Sequence, residues 1–203
     1  MAETLTLYSF GDVDRSGKVR WMAEELGLAV DEERLALGAH RGPPYTELNP
    51  MGRVPAVRFR GEVLTESTAI CHILAESFDM PRLWVGAGEA ARERYLFWLA
   101  TFGETLEARL VECAVSKAGL IGPEYLTLHA PSVKHTMTVL AGWLPDDGWL
   151  CGDAFTVADV LAGYSLRLAV QTELVDRAAV EPYLGRLVAR PAAKRARVFD
   201  SLG

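Results

Sequence analysis

Short apolar runs separated by polar loops fill the first part of the chain. Between residues 5 and 10 the side chains alternate with a period of two, which predicts a strand. From Val19 to Leu26 the apolar residues recur at i, i+3, i+4 and i+7, which predicts a helix with Ser16 as N-cap and Gly27 as its C-terminal stop. Similar patterns predict a strand at 30–37, a loop at 42–52, a hairpin from 54–59 and 62–64, and a helix at 67–78.

Beyond Pro81 the strand signals vanish, and long helical patterns begin after the Gly86-Ala87-Gly88 break. This change predicts a domain boundary, with an α/β N-terminal domain at 1–80, a linker at 81–88 and an all-α C-terminal helical domain at 89–203. The first predicted helix of the second domain is the longest. Apolar residues at helical spacing place helices at 90–116, 123–144, 156–169, 180–189 and 191–199.

Composition and charge narrow the classes of function. The chain of 203 residues is 50% hydrophobic with a net charge of −6, so no nucleic-acid or membrane partner is expected. No apolar run has the length of a signal peptide or membrane span, which predicts a cytoplasmic protein. Cys71, Cys113 and Cys151 lie far apart and are interpreted as buried, inert thiols. The histidines show no ligand spacing, so no metal is expected.

Two motifs indicate the chemistry. Asn49-Pro50-Met51-Gly52-Arg53-Val54-Pro55-Ala56 is followed about ten residues later by Thr65-Glu66-Ser67-Thr68-Ala69-Ile70. Together they strongly resemble the glutathione transferase superfamily, in its bacterial, theta-like form. The resemblance implies a thioredoxin-like N-terminal domain of βαβ-ββα order with a mixed sheet. It also implies a cis Val54–Pro55 bond that turns the Val54 N–H and C=O towards the cysteinyl backbone of glutathione, whereas an isolated Val-Pro would favour a trans proline at a strand entry.

The Glu66-Ser67 pair has a physical rationale of its own. Ser67 opens a helix, whose free N–H groups and positive dipole end suit the γ-glutamyl carboxylate of glutathione. Glu66 would then face the ammonium group of the same ligand. The alternative is a simple helix N-terminus, with Thr65 or Ser67 as the cap and Glu66 favoured by the dipole.

Further segments extend the resemblance over nearly the whole chain. His40 and Arg41 lie where theta-like members contact the glycine carboxylate of glutathione, although solvated loop charges without a ligand would have the same pattern. The helical domain contains a segment similar to the family's structural capping segment, which ends in a capping box. The matching segments are Arg20 to Gly27, Trp149 to Asp159 and Arg190-Pro191-Ala192.

The residue that activates the glutathione thiol is less clear, because the usual theta-like serine position falls on Asp14. A carboxylate about 4 Å from the sulfur would repel a thiolate by about 4 kcal/mol, more than the ~2 kcal/mol that a helix end supplies. Three interpretations remain open, of which the first is favoured because Ser16 lies near the helix start, where its hydroxyl and the helix dipole could act together. Ser16 donates to the sulfur while Asp14 turns towards Arg15 or solvent, Tyr8 is the donor, or the protein holds glutathione without activating it. No cysteine lies near this loop, which disfavours mixed-disulfide chemistry.

The leading hypothesis is an enzyme, a glutathione transferase that transfers the thiolate to an apolar electrophile. Phe10, Phe102 and Leu106 are candidates to line the pocket of that second substrate. One rival is a non-catalytic glutathione-binding or interaction protein with a disabled activation site, and another is a partner-binding scaffold without a glutathione site. By resemblance we expect a homodimer, in which the helix after Glu66 packs on the long helix of the partner.

Overall fold

The computed structural model describes residues 3–12, 14–78 and 82–203. These residues form two compact units. The first contains the described residues up to Leu83 together with Pro191–Val198, and the second contains Trp84–Arg190 and Phe199–Gly203. The predicted limits of the two domains and of the linker stay a prediction. The strand signals were expected to end at Pro81, which lies outside the described residues.

The first unit contains a four-stranded mixed sheet with the strand order β2-β1-β3-β4. β1 pairs in parallel with β2 and antiparallel with β3, and β3 pairs antiparallel with β4. The predicted βαβ-ββα order is confirmed. Its elements are β1 (Thr4–Ser9), α1 (Ser16–Leu26), β2 (Ala29–Arg34), a 3₁₀ turn (Ala39–Arg41), α2 (Tyr45–Leu48), β3 (Ala56–Phe59), β4 (Glu62–Thr65) and α3 (Ser67–Glu76).

The strands end where their pairing ends. The apolar pattern predicts a strand at 30–37, but β2 pairs only with β1, and the last residue of β1, Ser9, lies opposite Arg34. β2 therefore stops at Arg34. β3 begins only at Ala56, because the proline before it has no N–H to donate to the neighbouring strand.

The second unit is built from helices. The helix predicted at 90–116 corresponds to a helical run from residue 92 to 117. Its middle part is π-helical and not α-helical, which shifts the position of the apolar stripe along the helix. No helix of the described residues has the length and apolar character needed to cross a membrane. The elements are α4 (Arg92–Ala100), the π-helical segment (Thr101–Leu106), α5 (Glu107–Lys117), α6 (Glu124–Ala141), α7 (Val157–Gln171), α8 (Arg177–Ala189) and a 3₁₀ turn (Asp200–Leu202).

α7 is the buried centre of the helical unit. All its residues from Val157 to Ala169 are buried. The predicted capping box is also present, since the Asp159 carboxylate accepts a hydrogen bond from the Thr156 N–H at 2.8 Å.

The last helix, α9 (Pro191–Arg195), begins with a proline at its first helical position, where the missing N–H costs no helical hydrogen bond. The sequence pattern places this helix in the helical domain, whereas the structure places it in the first unit. It packs against α1, where Arg195 Nε lies 2.6 Å from Glu24 Oε2. That contact joins residues far apart in the chain, so a local pattern could not predict it.

Candidate functional site

The sheet register brings three candidate segments to the same end of the sheet. Tyr8, near the end of β1, pairs with Ala56, and Ala56 in turn pairs with Thr65 at the end of β4. The residues that follow Tyr8, precede Ala56 and follow Thr65 must therefore emerge side by side. They belong to the loop between β1 and α1, to the Val54–Pro55 segment and to the Glu66–Ser67 pair.

The loop between β1 and α1, called here the first loop, is fastened by Asp14. One carboxylate oxygen accepts from the Phe10 N–H and the other from the Ser16 N–H, each at 2.5 Å. Two expectations are thereby corrected. Ser16 is the first residue of α1 and not its side-chain cap, and Asp14 turns neither to Arg15 nor to solvent, because the free N–H groups of the loop and the first helical turn bind its carboxylate.

The two candidate thiol donors differ in their surroundings. Ser16 is fully buried, and its hydroxyl donates to the Gly11 carbonyl at 3.3 Å while accepting from Arg20 Nη1 at 2.8 Å. Tyr8 is half-buried, and its ring centroid lies 6.0 Å from that of Tyr45. The Tyr8 hydroxyl has no hydrogen-bond partner among the described residues. Only the tyrosine hydroxyl therefore has its donor capacity unused.

Two side-chain hydrogen bonds hold the carbonyl group of Arg53, the residue before Val54. The Arg53 carbonyl accepts from the Tyr45 hydroxyl at 2.6 Å and from Asn49 Nδ2 at 2.8 Å. Burial raises the pKa of Tyr45, so its hydroxyl stays protonated and able to donate. Sequence reasoning placed Asn49 in the motif without a role and missed Tyr45 altogether.

Val54 itself presents its backbone outward. The Val54–Pro55 peptide bond is cis, as the motif implied. Within the described residues, neither the N–H nor the C=O of Val54 has a hydrogen-bond partner, although Pro55 beside it is buried. A peptide-like ligand could therefore pair with Val54 in the manner of an added strand.

A cavity of about 450 Å³ lies beside this segment. His40 and Arg41, both predicted site residues, line it together with Arg53, a third basic side chain that sequence reasoning missed. Gly52 is required here, because it lies at φ 57° and a Cβ would be 2.8 Å from the His40 carbonyl oxygen. The His40 ring also contacts the Phe10 ring, with centroids 4.8 Å apart, which links the cavity wall to the first loop.

The Glu66–Ser67 pair lies at the start of α3. Ser67 is the first residue of the helix and is 6% exposed, while Glu66 is exposed and its side chain does not cap the helix. Glu66 has φ 64° and ψ 107°, a backbone conformation that non-glycine residues rarely adopt. Strained residues of this kind cluster at ligand sites.

Comparison with known proteins identifies the family. A family model described as "Glutathione S-transferase, N-terminal domain" matches residues 15–77, the range that holds the motifs above. Glutathione S-transferase GstA of Escherichia coli O157:H7 is 27% identical over 168 residues, which cover 79% of this chain and 80% of the relative. Residues 15–77 therefore match the N-terminal domain of the glutathione S-transferases.

The chain is also similar to further glutathione transferases. Glutathione S-transferase theta-1 of Rattus norvegicus is 30% identical over 136 residues, 63% of this chain and 57% of the relative. A solved glutathione transferase from Phanerochaete chrysosporium superposes with a TM-score of 0.85 over 99% of this chain and 98% of that one. At its 23% identity, this likeness shows the shared fold.

Some residues singled out from the superfamily pattern are not available to a ligand. Phe102 and Leu106 are 0% and 1% exposed, so these two candidates for the second-substrate pocket belong to the core, while Phe10 remains half-buried. Cys71 and Cys113 are buried as expected, whereas Cys151 is half-buried and burial raises the pKa of its thiol to about 11. Over the described ranges, no group of three or more His, Cys, Asp or Glu side chains could hold a metal ion.

Proposed function

We propose that this chain works as a glutathione transferase, which binds glutathione at the end of the sheet and joins its sulfur to an apolar electrophile. The observation that carries the proposal is the sheet register, which brings the first loop, Val54 and the Glu66–Ser67 pair together. Relatives named glutathione S-transferase support the same reaction. The thiol loses its proton, the thiolate attacks an electrophilic carbon, and the leaving group departs with the electron pair of the broken bond.

Each part of glutathione would meet a matching group. The cysteinyl backbone would pair with the free N–H and C=O of Val54 beside Pro55. The γ-glutamyl carboxylate would bind at the start of α3 near Ser67, with its ammonium group facing Glu66. The glycine carboxylate would enter the cavity lined by basic residues, namely His40, Arg41 and Arg53.

The thiol donor remains one of two residues. Tyr8 is favoured by its unused hydroxyl, whereas Ser16 would have to turn its proton from the Gly11 carbonyl to the sulfur. The already bonded Ser16 hydroxyl also favours the second candidate function, a protein that binds glutathione without activating it. Turnover separates the two functions.

The test is the initial rate of glutathione conjugation to a panel of apolar aryl halides and epoxides. We expect saturable turnover that falls about a hundredfold when the donor is removed, within the range by which one positioned proton donor or acceptor changes rates. Tyr8→Phe and Ser16→Ala identify the donor. The matched control for the first is Tyr125→Phe, at an exposed position, and the control for the second is Ser77→Ala, at the C-terminal end of α3. Glutathione binding without turnover of any electrophile would contradict the enzyme and favour the binding protein.

We also propose a homodimer in the cytoplasm, as in the superfamily pattern. Partly exposed apolar side chains on α3 and α4 fit the predicted contact of one helix with the partner's long helix, since Ile73 is 38% exposed and Leu96 and Phe97 are each 46% exposed. Light scattering should give twice the chain mass, and a monomer at all concentrations would contradict this assembly.

A further inference from the structure

A charged cluster lies beneath the first loop, and the proposed reaction does not yet use it. Glu32 of β2 accepts hydrogen bonds on one oxygen from the Ser9 hydroxyl at 2.7 Å and from Arg20 Nη1 at 2.6 Å. Its other oxygen lies 3.3 Å from Arg34 Nη2. The side chains of Arg20 and Glu32 are only 14% and 17% exposed, so this ion pair is largely withdrawn from water.

Two hydrogen-bond paths lead from this ion pair to the same residue, Gly11. In one path, the Ser9 hydroxyl that donates to Glu32 accepts from the Gly11 N–H at 2.9 Å. In the other, Arg20 donates to the Ser16 hydroxyl, which donates to the Gly11 carbonyl at 3.3 Å. Both polar groups of Gly11 are therefore bound by chains that end at Glu32.

Gly11 lies at φ 94°, a backbone conformation that residues other than glycine rarely adopt. Its N–H and its C=O are both held by hydrogen bonds. Gly11 directly follows Phe10, whose N–H donates to Asp14, so the hydrogen bonds of Gly11 restrain this part of the first loop as well.

Glu32 is charged at neutral pH, because its surroundings lower the pKa of its carboxyl. Burial raises the pKa of its carboxyl, but the Ser9 hydrogen bond and the charges of Arg20 and Arg34 outweigh burial and keep the pKa below its usual value. Asp12 is the other carboxylate near these two arginines, 3.8 Å from Arg20 and 3.7 Å from Arg34.

We propose that Glu32 and Arg20 are positioning residues for the thiol site: through Ser9 and Ser16 they hold the N–H and the C=O of Gly11 and keep the first loop in the conformation that stabilises the thiolate. This inference rests on the proposed function. Neither residue touches glutathione in this account. Loss of the ion pair should therefore change the acidity of the bound thiol and leave glutathione affinity nearly unchanged, because the ligand carboxylates bind elsewhere.

The variant Glu32→Gln separates positioning from a simple charge effect. Removing an anion near a thiolate would by itself lower the thiol pKa. If the ion pair positions the loop, the same change raises the pKa of bound glutathione, by about one unit. The two explanations therefore predict opposite signs.

The matched control is Glu33→Gln, the next residue of β2. Glu33 is exposed and its side chain makes no hydrogen bond or ion pair with another described residue, yet its replacement removes the same charge. Ser9→Ala is a second variant, which breaks only one path to Gly11 and changes no charge. It keeps the proposal testable if Glu32→Gln does not fold.

The experiment titrates the ultraviolet absorbance of the thiolate in the glutathione complex of each variant against pH, with glutathione affinity measured by calorimetry. We expect a raised thiol pKa in Glu32→Gln and Ser9→Ala, an unchanged or lowered pKa in Glu33→Gln, and affinities within about twofold of each other. A lowered or unchanged pKa in Glu32→Gln, or in Ser9→Ala if only that variant folds, would overturn the inference. Absence of glutathione binding by the unaltered protein would instead refute the proposed function, and the inference with it.

Discussion

Two loops of this molecule use the same device, an aspartate that fastens a loop to a helix start. In the first loop, Asp14 accepts from the N–H groups of Phe10 and Ser16. Before α7, Asp159 accepts from the N–H groups of Leu150 and Thr156, at 2.9 and 2.8 Å. In both cases the carboxylate replaces hydrogen-bond partners that the helix cannot supply to its first turn.

The difference between the two loops is burial. Asp159 is fully buried and also accepts from the Tyr183 hydroxyl at 2.6 Å, so it ties two helices and a loop together inside the core. Asp14 is only half-buried, at the end of the sheet where the candidate ligand groups meet. We infer that the same hydrogen-bonding pattern serves stability in one loop and ligand binding in the other.

The largest expected effect comes from Asp159→Ala. This change leaves the N–H groups of Leu150 and Thr156 and the Tyr183 hydroxyl without their acceptor, which should lower the free energy of unfolding by about 3 kcal/mol. Denaturant unfolding followed by circular dichroism measures it. Asp153→Ala is the control, because Asp153 is exposed in the same segment and its loss should cost less than about 0.5 kcal/mol. Equal losses in the two variants would refute the special role of Asp159.

The next effect comes from Asp14→Ser, which removes the corresponding carboxylate from the first loop. A serine cannot accept from the Phe10 and Ser16 N–H groups with two separate oxygens, so the first loop should lose its shape. We expect kcat/KM for conjugation to fall about tenfold, while the free energy of unfolding falls by only about 1 kcal/mol, the typical cost of a lost helix cap. A gain of thiolate or of activity would show instead that Asp14 disables the site.

The smallest effect is the response of stability to pH, which should have opposite signs in the two regions. The pKa of Glu32 beneath the first loop is lowered, so its stabilisation is present above the unfolded-state pKa and is lost as pH falls through the folded-state pKa. Burial raises the pKa of Asp159, so its contribution is fully present below the unfolded-state pKa and is lost as pH rises through the folded-state pKa.

Melting temperatures of wild type, Glu32→Gln and Asp159→Asn between neutral and acidic pH test this difference. The deficit of Glu32→Gln should amount to less than about 1 kcal/mol at neutral pH and shrink as pH falls. As pH falls over the same range, the melting temperature of the wild type should rise relative to that of Asp159→Asn. Parallel curves for all three proteins would contradict both assignments.

The sequence predicted the elements that depend on local patterns. The capping box at Thr156 and Asp159 is confirmed, because it follows from a few adjacent residues. The cis bond before Pro55 is also confirmed, but it was implied by the resemblance to glutathione transferases and not by the local pattern. The role of Asp14 was missed, although an aspartate two residues before Ser16 is a recognised signal for a turn closed by a side-chain oxygen. The ends of the strands were wrong where pairing, rather than apolar pattern, decides the length.

The contacts around Gly11 could not be predicted locally. Ser9 and Glu32 lie 23 positions apart in the chain and meet only because β1 and β2 pair in parallel. Likewise, the Arg195–Glu24 ion pair of the last helix joins residues 171 positions apart. Contacts of this kind depend on the assembled fold, and no spacing rule along the chain indicates them.

Isothermal titration with reduced glutathione measures directly whether the chain binds glutathione at the end of the sheet. We expect saturable binding, weakened about tenfold by Ser67→Ala and by Glu66→Ala. The first change removes a hydrogen bond to the γ-glutamyl carboxylate, and the second removes the charge partner of the ammonium group. Ser77→Ala, at the other end of α3, should leave the affinity unchanged. No saturable binding by wild type, or equal affinity in all variants, would contradict the account.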